Sequence, residues 1–245
     1  MKSLGLVGLG QFGRLAARLL KSHFDVLATD VAPESEAVAR GVGVRFGALE
    51  EVAGCDVVVV AVPVVAMQAT FRAIAPHVKP GALVIDVGSV KMLPAQWMLA
   101  ALPEHAEIVA THPLFGPQSA RDGLAGLRFV VCQVRGERHE KVAAFGRDLG
   151  LTVTVTTPEE HDREMAYVQA LTHLIGRSLV NLGIPDEALK TPSYQHLLEL
   201  CSLIGQDTFE LFTAIQTQNP FAADVVDAFV GEARSLLSAV AARRP

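Results

Sequence analysis

Residues 4–13 read Leu4-Gly5-Leu6-Val7-Gly8-Leu9-Gly10-Gln11-Phe12-Gly13, and this stretch decides the fold. A short apolar run suited to a strand passes into G-x-G-x-x-G, and residues 14–21 continue as a helix. Such a turn between strand and helix is built to hold a pyrophosphate. Gly8 permits the tight turn, Gly10 lets the backbone approach the phosphates, and Gly13 lets the helix pack closely on the strand. Gln11 and Phe12 complete the turn. The helix N-terminus offers N–H groups and a positive dipole end to the anion.

The next strand, 25–29, ends at Asp30, 20 residues beyond Gly10. An acid at about that spacing can accept hydrogen bonds from an adenosine ribose and repel a 2′-phosphate, which points to NAD rather than NADP. A carboxylate here can also cap the following turn. The strand over 56–62 ends in Val62-Pro63, and small residues and proline at such an end suit a further cofactor contact.

Further out, apolar runs at 82–87, 107–111, 129–134 and 151–155 alternate with helical stretches. Val57-Val58-Val59-Val60 shows no polar alternation, as expected of a parallel strand covered on both faces. The first 156 residues therefore read as a Rossmann-type, doubly wound α/β domain. Strand signals stop there, and 157–245 reads as a smaller all-helical domain for substrate and dimer contacts. Three helix starts place a capping residue before proline: Thr157-Pro158, Thr191-Pro192 and Asn219-Pro220. Glu160 adds a capping box to the first. Met165, Val168, Leu171, Ile175, Leu179 and Leu182 predict one continuous amphipathic helix ending near Gly183, with its apolar stripe in the core. Gln169, His173 and Arg177 form a polar stripe beside it at i, i+4 and i+8. That stripe is either a solvated face or one wall of a substrate pocket, with Gly176 leaving open space.

Two strand ends carry chemistry. One gives Asp86-Val87-Gly88-Ser89-Val90-Lys91, the other Thr111-His112-Pro113-Leu114-Phe115-Gly116-Pro117. Both should open on the cofactor edge of the sheet, bringing a hydroxyl and an imidazole to the nicotinamide. Histidine titrates near neutrality and can take a proton from a substrate hydroxyl. Lys91 reads either as a ligand of substrate or cofactor or as a solvated lysine.

These segments, with Gly8 to Gly13 before them and Glu160-His161-Asp162 after, follow the order of the prephenate and arogenate dehydrogenases of tyrosine biosynthesis. The chain resembles that family over nearly its whole length. It looks most like the short plant arogenate dehydrogenases, through Thr172-His173, Gly176-Arg177 and residues 205–212. The resemblance implies oxidative decarboxylation of prephenate or arogenate, with hydride passing from the ring carbinol to the nicotinamide. It makes His112 and Ser89 the catalytic pair. A dicarboxylate substrate needs cations; Arg177 is the best candidate, with His173, Gln169 and Lys91 beside it. No arginine occurs between Thr191 and Gln218.

Composition narrows the alternatives. Half of the 245 residues are hydrophobic, 19% are charged and the formal charge is −5. That mix supports a packed core and carries no basic run for nucleic acid. Cys55, Cys132 and Cys201 give neither a disulfide framework nor metal-ligand spacing, and read as packing residues. No stretch offers the roughly 18 apolar residues of a membrane span. A cytoplasmic homodimer joined through the helical domain is expected. Two other functions compete. A β-hydroxyacid dehydrogenase shares the layout but relies on a lysine in the first helix after the α/β domain, and none lies between Pro158 and Leu189. A non-catalytic NAD-binding regulatory protein would not need the Ser89 and His112 strand ends.

Overall fold

The computed structural model describes residues 1–244. The chain divides into two compact units, the first comprising Met1–His161 and the second beginning at Asp162. The change therefore falls within a helix, five residues past the point where strand signals end in the sequence.

The first unit is an eight-stranded sheet in the order β3-β2-β1-β4-β5-β6-β7-β8. Its strands are β1 (Ser3–Val7), β2 (Asp25–Thr29), β3 (Arg45–Phe46), β4 (Val57–Val60), β5 (Leu83–Asp86), β6 (Glu107–Pro113), β7 (Arg128–Arg135) and β8 (Thr152–Thr156). The intervening helices are α1 (Gln11–Leu20), α2 (Ser35–Val42), α3 (Leu49–Ala53), α4 (Val64–Ile74), α5 (Met92–Ala101) and α6 (His139–Asp148). Strands β1 to β6 are parallel. This is the doubly wound fold, and it reverses direction between β1 and β4, where such sheets open a ligand crevice.

In β4, Val58, Val59 and Val60 are all buried. Successive side chains point to opposite faces, so the strand is covered on both, which is why its sequence lacks alternation. Two features escape the sequence reading. Strand β3 has only two residues, both exposed, too short for any periodicity. Strand β7 runs antiparallel to β6 while β8 runs parallel to β7, so the sheet is mixed. Between α1 and α6 an apolar cavity of about 350 Å³ is lined by residues including Phe12, Leu4, Val59, Ile85 and Phe145.

The second unit is helical. Helix α7 (Pro158–Met165), whose first residues up to His161 belong to the first unit, leads into a π-helical turn (Ala166–Leu171), then α8 (Thr172–Leu182), α9 (Pro192–Ile204), α10 (Phe209–Gln218) and α11 (Ala222–Ala241). The caps at Thr157 and Thr191 form as read: the Thr157 hydroxyl accepts from Glu160 N at 3.1 Å, and that of Thr191 from Tyr194 N at 3.2 Å. Asn219 instead turns the chain, accepting from Phe221 N at 2.9 Å, so α11 begins at Ala222. Helix α10 was not anticipated; its cap is Thr208, which accepts from Leu211 N without a following proline.

The π turn corrects the reading of residues 158–182 as one regular helix. An extra residue in one turn rotates everything after it relative to a 3.6-residue repeat. Val168 and Leu182, expected in the core stripe, are 59% and 75% exposed, whereas His173 from the polar stripe is only 8% exposed. Met165 is buried as expected, and the rest of the buried side is carried by Ala166, Ala170 and Gly176 together with His173. Gly176 does not leave open space: a Cβ there would meet Ile204 Cγ1 at 2.7 Å. Its absence lets α8 and α9 approach closely.

Candidate active site

The glycine turn has the geometry its sequence implies. Gly8 has φ +104°, a conformation L side chains rarely adopt, and a Cβ on Gly13 would sit 2.1 Å from the Gly8 carbonyl oxygen. Around Gly10 a Cβ would meet nothing within 4 Å, leaving room for a ligand against the backbone. Helix α1 begins at Gln11, directly after that space. The N–H groups of Gln11, Phe12 and Gly13 belong to its first turn, where no intrahelical acceptor exists. These residues fit a dinucleotide pyrophosphate.

Asp30 follows β2. Its carboxylate accepts from Leu9 N at 2.5 Å and from Ala32 N at 2.9 Å. The turn-capping alternative therefore holds, and the side chain also braces the glycine turn. Each oxygen keeps a second lone pair able to accept a further hydrogen bond. Val62 is half-buried and Pro63 exposed at the mouth of β4, where Pro63 precedes α4.

At the ends of β5 and β6 lies a buried polar lattice. Asp86 pairs in register with Ala110, so Ser89, just past β5, and His112, near the end of the adjacent parallel strand β6, lie on the same edge of the sheet as the glycine turn. Lys91 is neither solvated nor an open cation. Its side chain is wholly buried; its ammonium pairs with Asp86 Oδ2 and donates to the Thr111 carbonyl at 2.6 Å. That overturns the solvated reading of Lys91: it staples the two strand ends. Thr111 Oγ1 donates to the Asp86 carbonyl at 2.6 Å, and Gly88 N to Asp86 Oδ2 at 2.9 Å. Burial pushes the Asp86 carboxyl up, opposed by the adjacent ammonium and the Gly88 N–H. Ser89 is half-buried within the segment this lattice ties down.

His112 is 4% exposed, and its Nδ1 lies 2.9 Å from Nε2 of His161, itself 2% exposed. The rings meet edge to face. His161 belongs to the Glu160-His161-Asp162 segment, but nothing in the order of residues joins it to His112, 49 positions earlier.

In the helical unit the polar stripe meets Asp207, which sequence reading missed. Arg177 Nη2 donates to the Asp207 carbonyl at 2.5 Å, and His173 Nδ1 lies 3.8 Å from Asp207 Oδ2. Gln169 Oε1, His173 Nδ1, Arg177 Nε and Gln218 Oε1 are buried without a hydrogen-bond partner. Such orphaned polar atoms are costly and call for an explanation such as a bound polar ligand. Burial pushes the His173 imidazole down, with Arg177 adding to the effect and Asp207 opposing it. Burial pushes the Asp207 carboxyl up, against His173 and Arg177.

A glycine turn at the crevice of a doubly wound parallel sheet defines a nucleotide-binding α/β protein, here with a buried histidine pair on the same sheet edge. Comparison with known proteins gives the family. Residues 15–148 match the model described as prephenate dehydrogenase, nucleotide-binding domain, and residues 157–244 that described as prephenate dehydrogenase, dimerization domain. The chain belongs to the prephenate dehydrogenase family. It is 31% identical over 247 residues to a probable arogenate/prephenate dehydrogenase of Methanocaldococcus jannaschii, covering 94% of this chain and 54% of that one. It is 29% identical over 237 residues to the chloroplastic arogenate dehydrogenase 2 of Arabidopsis thaliana, covering 91% and 66% respectively. The chain thus spans only about half to two thirds of these relatives. In fold it is similar to prephenate dehydrogenase from A. aeolicus, solved with hydroxyphenyl propionate and NAD+: TM-score 0.78 at 20% identity, covering 98% of this chain and 91% of that one.

Proposed function

We propose that this chain catalyses NAD-dependent oxidative decarboxylation of a cyclohexadienol dicarboxylate, arogenate in preference to prephenate, in tyrosine biosynthesis. The observation that carries this is His112. It lies near the C-terminal end of β6, on the same edge of the sheet as the glycine turn, with Nδ1 engaged by His161; Nε2 is the nitrogen we assign to the substrate. The Gly8–Gly13 turn and Asp30 would hold the nicotinamide dinucleotide, which would supply the acceptor for the hydride leaving the hydroxyl-bearing ring carbon. His112 Nε2 takes the hydroxyl proton as the C–O bond becomes a carbonyl. Loss of the ring carboxylate as CO₂ sends its bonding pair through the ring to that oxygen. His112 returns the proton there, leaving a phenol, so no net proton is released. Ser89 is the proposed partner that orients the substrate hydroxyl.

Arg177, with His173 and Gln169, is the proposed carboxylate ligand. Asp207 supports the choice of arogenate: an α-amino carboxylate carries one group of each sign, and Arg177 with Asp207 offers a partner for each. The homodimer is proposed through the helical unit. Support comes from the dimerization-domain match and from exposed apolar side chains such as Leu203, Phe209, Leu236 and Leu237. Among the described residues no helix is long and apolar enough to cross a membrane.

The test is a steady-state assay of arogenate and prephenate, each with NAD and NADP. Arogenate with NAD should give the highest kcat/KM. A carboxylate about 4 Å from a 2′-phosphate costs roughly 4 kcal/mol at an effective dielectric of about 20. Solvent at the half-buried Asp30 reduces this to about 2–3 kcal/mol, on the order of a hundredfold in favour of NAD. Equal efficiency with NADP would remove Asp30 as the discriminator, and a preference for prephenate would remove Asp207.

Arg177→Ala should raise KM by on the order of 10–100-fold, the value of a charge-assisted hydrogen bond. Because Arg177 also holds the Asp207 carbonyl, the melting temperature should fall modestly. Arg177→Lys should recover only part of the KM, since it lacks the planar fork. A large melting-temperature drop with unchanged KM would reduce Arg177 to a structural tie.

A further inference from the structure

His161 holds a buried imidazole against the proposed base, and the reaction as derived leaves it without a part. We infer that His161 is a positioning residue: its Nε2 accepts the Nδ1–H of His112 and thereby fixes His112 in the tautomer that can act as a base. This rests on the dehydrogenase reading for its consequence, though not for its geometry.

The argument starts from the 2.9 Å separation of the two ring nitrogens. With both rings neutral, one proton lies between them, and there are two ways to place it. If His161 donated, His112 would carry its own proton on Nε2 and could not accept another from a substrate hydroxyl. If His112 donates, Nε2 holds a lone pair and is the base. The second arrangement gains further as the reaction proceeds. A proton arriving at Nε2 makes His112 an imidazolium, and its Nδ1–H bond to His161 becomes charge-assisted, roughly twice as strong as the neutral one. A buried acceptor behind an imidazole is the general way to set its tautomer and orientation. Here the acceptor is a second imidazole instead of a carboxylate. Each ring is anchored separately. His112 is fixed in β6, between Thr111, whose carbonyl accepts from Lys91, and Pro113. His161 sits in α7, whose first turn is held by the Thr157–Glu160 box. The rings meet edge to face, with 5.1 Å between their centroids.

The experiment reads the tautomer and the turnover separately. Histidine side-chain ¹⁵N spectra of the full chain without ligands should show His112 protonated at Nδ1 and bare at Nε2. In His161→Phe, His112 should move toward the Nε2–H form. With arogenate and NAD, His161→Phe should lower kcat by about 10–100-fold, a smaller loss than removing a carboxylate from a catalytic triad. KM and the dissociation constant for NAD should change less than about twofold. His161→Gln, whose amide oxygen can accept the same proton, should recover most of the turnover; a purely packing role would favour phenylalanine over glutamine. Wild-type spectra with the proton on His112 Nε2, or turnover in His161→Phe within about twofold of wild type, would overturn the inference. If wild type turned over neither arogenate nor prephenate, the dehydrogenase reading would fall, while the spectra would still decide the tautomer. If His161→Phe failed to fold, the wild-type spectra and His161→Gln would carry the decision.

Discussion

Replacing His112 by asparagine is expected to lower kcat by on the order of 10²–10⁴ while leaving NAD affinity nearly unchanged, the range general acid–base catalysis supplies. Asparagine keeps a polar side chain at the strand end but cannot take up the hydroxyl proton at neutral pH. The cofactor contacts proposed for the Gly8–Gly13 turn and Asp30 lie on other strands, so binding should survive. Turnover measured beside a fluorescence titration with NAD separates the two effects. A loss of tenfold or less would remove His112 from proton transfer. A parallel loss of NAD affinity would show instead that the substitution had disturbed the sheet edge.

The second large effect concerns stability. Lys91→Met leaves Asp86 as a carboxylate wholly buried without its countercharge, and removing one partner of such a pair costs about 3–5 kcal/mol. For a chain of this size that corresponds to a melting-temperature drop of roughly 6–20 °C. The double variant Asp86→Leu with Lys91→Met should recover much of it, because an apolar pair does not need the compensation that each charge demands of the other. Turnover should not recover in step, since Ser89 lies in the segment the pair holds. Thermal melts of both variants decide it. A single-variant loss below about 1 kcal/mol would mean that Asp86 is satisfied by the Gly88 N–H and protonation alone.

The α/β unit was legible wherever a local rule left a local mark. The turn from Gly8 to Gly13 follows from what each position will tolerate, and the structure gives the physical reason at both ends, a positive φ at Gly8 and backbone contact at Gly13. Strand β4 announced its double coverage through consecutive valines. The helical unit was read less well because one turn broke the rule being applied. The stripe from Met165 to Leu182 assumed an unbroken 3.6-residue repeat, and the π turn at Ala166–Leu171 rotated the polar side chains inward. Gly176 was seen as a gap because sequence shows a missing side chain but not the neighbour that fills its place.

What the sequence determined by itself was therefore the class of fold, the glycine turn, the strand ends bearing Ser89 and His112, and two helix caps. Each depends on residues close together in the chain, where backbone geometry limits which side chains can occupy a position. Only the tertiary structure decided that Lys91 is spent on Asp86, that Asp207 sits beside Arg177 and His173, and that His161 backs His112. Those pairings join residues brought together by strand register and helix packing. A buried charge or imidazole takes its role from whatever partner the fold puts within hydrogen-bond reach, and that partner leaves no trace in local spacing.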